Sequence, residues 1–293
     1  MHKSQFFLDS NIEESLNKFG YAEIQVLNER EIDELLFFYN QETRQMDKAN
    51  LATFLSASKE YKIKVHQKIK TVLYPLLKTK VTNNYKPFFG NFMAKEKKCP
   101  PLMLHADWSY VNEQESRAFN VWIPLVESKI KNGGLWIIPK SHKIVKFLRG
   151  VNLPRSYYQH LSLLQTKYAK PINVKPGHAV VYDTRMLHFS YSNYTKELRL
   201  AVSLFMLPTN EPFYYHYMNS CNTLINKYSL DSIEDLLEQN FDKIPTKLTL
   251  LDQLNPDIFN RISLQEIEQN LKKVSLLEQI RNSIHYNKSL KET

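Results

Sequence analysis

Between about Phe88 and Leu207 the chain breaks into short β-prone runs separated by turn residues: FFGNFMA, PLMLHADWSY, AFNVWIPLV, GLWIIP, INVK, AVVYD, LHFSYS and LRLAVSLFML. No helical repeat stands between them. Parallel neighbours need a long, usually helical crossover, so consecutive short strands without one must pair antiparallel. The block therefore predicts a sandwich or barrel and excludes a doubly wound nucleotide-binding sheet. Helix-period sequence flanks it on both sides. Asp9 or Ser10 caps a helix through Phe19, Asn28 or Glu29 opens EREIDELLFFYNQ, and Ser56 to Leu77 carries apolar residues at helical spacing. YAEIQVL between the first two is a short strand. After Pro208 the runs YYHYMNSCNTLINKY, DSIEDLLEQNF and SLQEIEQNLKKVSLLEQIRNSI read as two or three helices.

The expected organisation is one domain over 1–210, in which residues 1–87 are mainly helical and residues 88–210 form a β core. A helical extension over 211–293 would pack on the core or at a subunit interface of a homo-oligomer. No run approaches the roughly 18 apolar residues of a membrane span, and the start MHKSQFFLDS lacks a cleavable apolar leader, so a cytoplasmic protein is expected. The two cysteines, Cys99 and Cys221, have no Cys or His at ligand spacing and suggest neither disulfide nor zinc.

The formal charge is +9, unevenly spread: from Glu211 onward nine basic residues face twelve acidic ones, a net of −3, which leaves +12 on the first 210 residues. The densest run, Lys95-Glu96-Lys97-Lys98, reads as a solvated loop. Nucleic-acid binding would show aromatics interleaved with a basic stripe, and none is present. The excess favours a small anionic substrate drawn to the site by its field, with surface solubility as the alternative.

Two elements carry chemistry. His105 and Asp107 are two apart in LMLHADWSY, and on a strand residues two apart share a face, so an imidazole and a carboxylate could share one ion. His188 opens LHFSYS. A hairpin turning at Tyr194 and Thr195 would set Ser190 opposite Arg199, bringing a histidine, a hydroxyl and a guanidinium to one face, with Phe189, Tyr191, Leu198 and Leu200 on the other. An inward arginine needs an anion, because an unpaired buried charge is costly. Two histidines and a carboxylate form the facial set that leaves iron(II) open positions for a bidentate 2-oxo acid and dioxygen. The distal carboxylate of 2-oxoglutarate would suit the fork of Arg199 and the hydroxyl of Ser190.

In the order LHADWSY, FNVWIPLV, NGGLWIIPKSH, KPGHAVVYD, LHFSYSN and LRLAV, the chain resembles the phytanoyl-CoA dioxygenase family over roughly Phe88 to Leu207. The resemblance implies a mainly β core, a double-stranded β-helix (jelly-roll, cupin-like), with flanking helices. It implies iron(II) on His105, Asp107 and His188, and 2-oxoglutarate on Ser190 and Arg199. The implied reaction is O2-dependent oxidation, typically hydroxylation, of a small molecule with release of succinate and CO2. The usual H-Q-D is His-Ala-Asp here, which leaves more room beside the metal. Asp107 disfavours a halogenase, since such enzymes lack the carboxylate. A non-catalytic jelly-roll that binds a ligand or metal is the alternative from another class. Trp108, Tyr110 and Trp122 are candidates to line the pocket, while His142, His178 and Asp183 read as turn residues.

Overall fold

The computed structural model describes residues 4–43, 52–218, 224–239, 243–255, 261–273 and 275–291. Cys221 lies outside them, and Cys99 is a free thiol. Three helices open the chain: α1 (Ser10–Phe19), α2 (Glu29–Thr43) and α3 (Lys59–Lys78). Asp9 caps α1 by accepting from the backbone N–H of Asn11 and Ile12, and Ser58 caps α3 through Tyr61 N–H. Gly20 ends α1 with φ 85°, and a Cβ there would lie 2.3 Å from His142 Nδ1, so the turn needs glycine twice over.

The strands follow in chain order: β1 (Tyr21–Gln25), β2 (Tyr85–Lys95), β3 (Leu102–His105), β4 (Phe119–Pro124), β5 (Trp136–Ile137), β6 (Lys170–Pro171), β7 (His178–Asp183), β8 (His188–Ser190) and β9 (Arg199–Pro208). They form two antiparallel sheets, β1-β7-β4-β9-β2 and β3-β8-β5-β6, the two layers of a jelly roll. Strand alternation divides the larger sheet. Val121, Ile123, Leu200, Val202, Leu204 and Met206 face the N-terminal helices, packing with Val65, Ile69 and Leu73 of α3. Burial of each such side chain contributes about 1.5–3 kcal/mol. Gly90 lets α3 approach, since a Cβ there would stand 3.0 Å from Ile69. The opposite face, with Asn91, Met93, Asn120, Tyr182 and Ser203, turns inward to a cavity.

The outer face of the smaller sheet, Trp136, Phe189 and Tyr191, is covered by the segment containing α4 (Leu161–Leu163) and by α6 (Leu264–Asn270) through Ile267. On α7 (Leu276–Lys291), the carbonyl of Asn282 accepts from the Tyr191 hydroxyl at 3.1 Å.

The C-terminal reading needs correction. The described parts of YYHYMNSCNTLINKY are strands, not a helix: β10 (Phe213–Met218) and β11 (Ile225–Leu230) pair antiparallel, and β12 (Leu250–Leu254) adds a third strand. Alternating Tyr215, Tyr217 and Tyr228 pack against Phe88, Phe89, Tyr110 and Phe205 of the β core, and this two-residue period outweighs the helical spacing read from sequence. The following α5 (Ile233–Leu237) places Leu236 and Leu237 on the cavity wall. Among the described residues no helix is long and apolar enough to cross a membrane.

Candidate metal centre

His105 ends β3, and His188 opens β8 directly opposite it in the ladder, which brings the two ring centroids to 4.1 Å with the planes tilted by 50°. Asp107 is not on the strand. The β3 ladder shifts register between Leu102 and His105 and ends there, so the shared strand face expected of His105 and Asp107 does not exist. Arg149 holds the departing loop instead: its Nε donates to Asp107 O at 2.6 Å, while its Nη1 donates to Glu113 Oε2 at 2.8 Å. The bend still returns the carboxylate to the histidines. Asp107 Oδ1 lies 3.8 Å from His188 Nε2 and 4.0 Å from His105 Nε2, and one ligand atom from each residue lies within 4.8 Å of the others.

Both imidazoles are aimed by backbone. His105 Nδ1 lies 2.8 Å from Met103 O and His188 Nδ1 lies 2.9 Å from Met186 O, so each Nδ1–H donates outward and each Nε2 lone pair points to the shared centre. Burial, and then His188, push His105 well below the usual imidazole range, which keeps it neutral as a ligand must be. Burial raises the Asp107 carboxyl, opposed by His188 and by Asn120 Nδ2, which donates to Oδ2 at 3.2 Å and leaves Oδ1 free toward the histidines. The same amide donates to Tyr182 Oη at 3.0 Å, and burial followed by the Asp107 charge keep that phenol protonated, 3.4 Å from His188 Nε2. Two imidazoles and a carboxylate with converging ligand atoms suit iron(II), and a cation there would offset the desolvation of Asp107.

Ser190 and Arg199 are not opposed on a hairpin as expected, and each is linked to Lys95 instead. No hairpin ladder joins them, because β8 belongs to the smaller sheet and β9 to the larger. Ser190 pairs with Leu102, and Arg199 pairs with Lys95. The link between the sheets is Lys95, whose Nζ donates to Tyr191 O at 2.7 Å, Pro100 O at 3.0 Å and Ser190 O at 3.4 Å. The solvated loop expected at Lys95 is corrected here, since this residue ends β2 and is 0% exposed. The inward alternation Asn91, Met93, Lys95 is the sequence signal that identifies it. Burial and then Arg199 lower its ammonium to about 7, although three carbonyls match the three N–H of the charged form. Arg199 is buried, its Nη1 donates to Met93 O at 3.1 Å, and burial lowers it to about 10. Among the described residues its Nε and the Ser190 hydroxyl have no hydrogen-bond partner. Lys95 and Arg199 are neighbouring buried cations, and among the described residues no carboxylate pairs with either, so an anion beside them would relieve an electrostatic cost.

The cavity beside the triad measures about 510 Å³. Ala106, Trp108 and Tyr110 line it, whereas Trp122 packs among Ile137, Val180 and Ala201 away from it. Asp183, expected at a turn, is instead the last residue of β7 and pairs with Phe119; burial alone would raise its carboxyl, but the fork of Arg185 lowers it. His142 stands at a turn beside Asn17 O. The residues that sequence reasoning missed are Asn120, Tyr182, Lys95 and Arg149, none of which has a motif of its own.

The phytanoyl-CoA dioxygenase (PhyH) family profile matches residues 19–201. A phytanoyl-CoA dioxygenase of Arabidopsis thaliana is 30% identical over 109 residues, a match covering 36% of this chain and 38% of that protein. Among solved structures, the non-heme alpha ketoglutarate dependent carbocyclase SnoK from nogalamycin biosynthesis superposes with a TM-score of 0.52 at 16% identity, over 70% of this chain and 86% of its own. The epimerase SnoN from the same biosynthesis also gives 0.52 at 16% identity, over 83% and 94%. At that identity the two structures establish a common fold only. With the profile covering well over half of its length, this chain belongs to the phytanoyl-CoA dioxygenase family.

Proposed function

We propose that the protein is an iron(II)- and 2-oxoglutarate-dependent oxygenase that hydroxylates, or otherwise oxidises, an unactivated C–H bond of a small organic metabolite. The observation that carries this reading is the pairing of a convergent His105, Asp107 and His188 centre with the unpartnered buried groups of Arg199 and Ser190. When bound, iron(II) with 2-oxoglutarate and O2 supplies the oxidising power, and succinate and CO2 are released.

The chain's own residues bind, orient and exclude. Nε2 of His105, Nε2 of His188 and Oδ1 of Asp107 would hold the metal, with Met103 O, Met186 O and Asn120 fixing their directions. Arg199 would receive the distal carboxylate of the co-substrate and Ser190 would donate to it, while Lys95 keeps the two sheets in register around that site. Trp108, Tyr110, Phe89 and Phe205 line the cavity with aromatic surface that excludes water and leaves substrate shape to choose which C–H bond meets the metal.

The test is anaerobic loading with iron(II) and 2-oxoglutarate, followed by a metabolite screen scored by succinate release. His105→Ala, Asp107→Ala and His188→Ala should each abolish coupled succinate formation while unfolding cooperatively. Full activity in any one of them removes that residue from the centre, and activity in all three returns the chain to a ligand-binding jelly roll.

A further inference from the structure

Lys62 sits in the first turns of α3, a helix packed on the outer face of the larger sheet, yet it lines the internal cavity together with Phe89 and Asn91 of β2 and Leu236 of α5. Its side chain therefore passes the edge strand β2 and ends on the inner side. The residue is 5% exposed. Lys59, Lys64 and Lys68 on the same helix hold the carboxylates of Glu238, Glu42 and Glu34. Lys62 has no ion pair or side-chain hydrogen bond among the described residues, and burial lowers its ammonium. The side chain is covered but its ammonium is not sealed from the cavity: it faces, without an acceptor among the described residues, a space walled mainly by Phe54, Phe89, Trp108, Phe205 and Leu236, where pairing with an anion would be favourable.

We propose that Lys62 is a specificity-determining residue that receives the anionic group, carboxylate or phosphate, of a primary substrate whose apolar body lies along the aromatic cavity. Calling the bound molecule a substrate rests on the oxygenase reading above; its anion selectivity does not. The co-substrate has its own cations elsewhere. His66, one turn after Lys62, accepts from Gly90 N–H at 3.0 Å, which sets this part of α3 beside the middle of β2. Lys95 and Arg199 stand at the end of that strand, on the order of 15 Å further along at ~3.3 Å per residue. Neither Arg199 nor Ser190 lines the cavity. An ammonium at one wall and the metal centre at another would hold an amphiphile by its charged end and present a carbon of its apolar part to the reaction.

The probes are decanoate, decyl phosphate and decanamide, titrated calorimetrically into the full chain loaded with nickel(II) and 2-oxoglutarate, for which no turnover is needed. Wild type should bind one of the two anions at least about tenfold more tightly than the amide, and the better anion names the headgroup. Lys62→Met conserves volume while removing a buried charge, so it should fold, lose the preference and leave amide binding unchanged; Lys62→Arg should keep the preference. Equal binding of anion and amide, a preference surviving in Lys62→Met, or binding of none of the probes at millimolar concentration overturns the assignment. Weakened 2-oxoglutarate binding in Lys62→Met also overturns it, by giving the lysine to the co-substrate. Intact selectivity without succinate release in any screen sinks the oxygenase reading alone, and the reverse pattern sinks this one alone.

Discussion

Arg199→Met separates two consequences of one buried charge. The guanidinium is 2% exposed, holds a single hydrogen bond to Met93 O and stands opposite Lys95 in the ladder. Without an anion this arrangement strains the fold, and replacing uncompensated buried charge by apolar volume is commonly neutral or stabilising by about 1–4 kcal/mol. The lost bond to Met93 O offsets about 1 kcal/mol of that gain. The co-substrate-free variant should therefore match or exceed wild type in urea unfolding. With 2-oxoglutarate the order should reverse. Removing one partner of a buried charge pair costs about 2–5 kcal/mol, which at ~1.4 kcal/mol per tenfold weakens 2-oxoglutarate binding by roughly 30- to 4000-fold. Wild type at about 100 times Kd gains about 2.7 kcal/mol from the ligand, and the variant at the same concentration should gain at most about 0.9 kcal/mol. The assay is the urea midpoint with and without 2-oxoglutarate in the presence of nickel(II). An equal ligand-induced shift in both proteins, or a loss above about 2 kcal/mol without ligand, refutes the assignment of Arg199 as an anion receiver.

Asn120→Leu removes the donor that turns Asp107 toward the histidines, and should weaken metal binding by about 10- to 100-fold in a calorimetric titration without unfolding the chain; unchanged affinity would show that the loop held by Arg149 suffices. Buried His66, His142 and His216 are each lowered from 6.5 to about 4, chiefly by burial. Their folded pKa is depressed, so the unfolded chain takes up protons first. The stability they contribute is complete above about pH 6.5 and is lost as pH falls toward 4, at most about 3 kcal/mol per histidine. Urea midpoints measured from pH 7 to 4.5 should fall accordingly. His66→Gln, whose amide oxygen can still accept from Gly90 N–H, should flatten part of that slope, and an identical slope would remove His66 from the account.

The sequence by itself determined an antiparallel β core, sandwich or barrel, the three N-terminal helices with a cap at Asp9 or Ser10, and His105, Asp107, His188, Ser190 and Arg199 as the residues to watch. Those are local quantities: two- and 3.6-residue periodicities, turn chemistry and short motif spacings report which face a side chain takes relative to its own neighbours. Only the tertiary structure decided how the faces meet. Asp107 reaches the two histidines from a loop held by Arg149, and Ser190 and Arg199 lie in different sheets, each linked to Lys95, rather than opposite each other on a hairpin. Lys95 lies in a charged run yet is buried, and Phe213–Met218 pairs with Ile225–Leu230 as strands despite helix-like spacing. Each of these depends on contacts between residues distant in the chain. Which strand enters which sheet, and which cation loses its water, is settled by the burial of the whole layer and is not written in any single window of sequence.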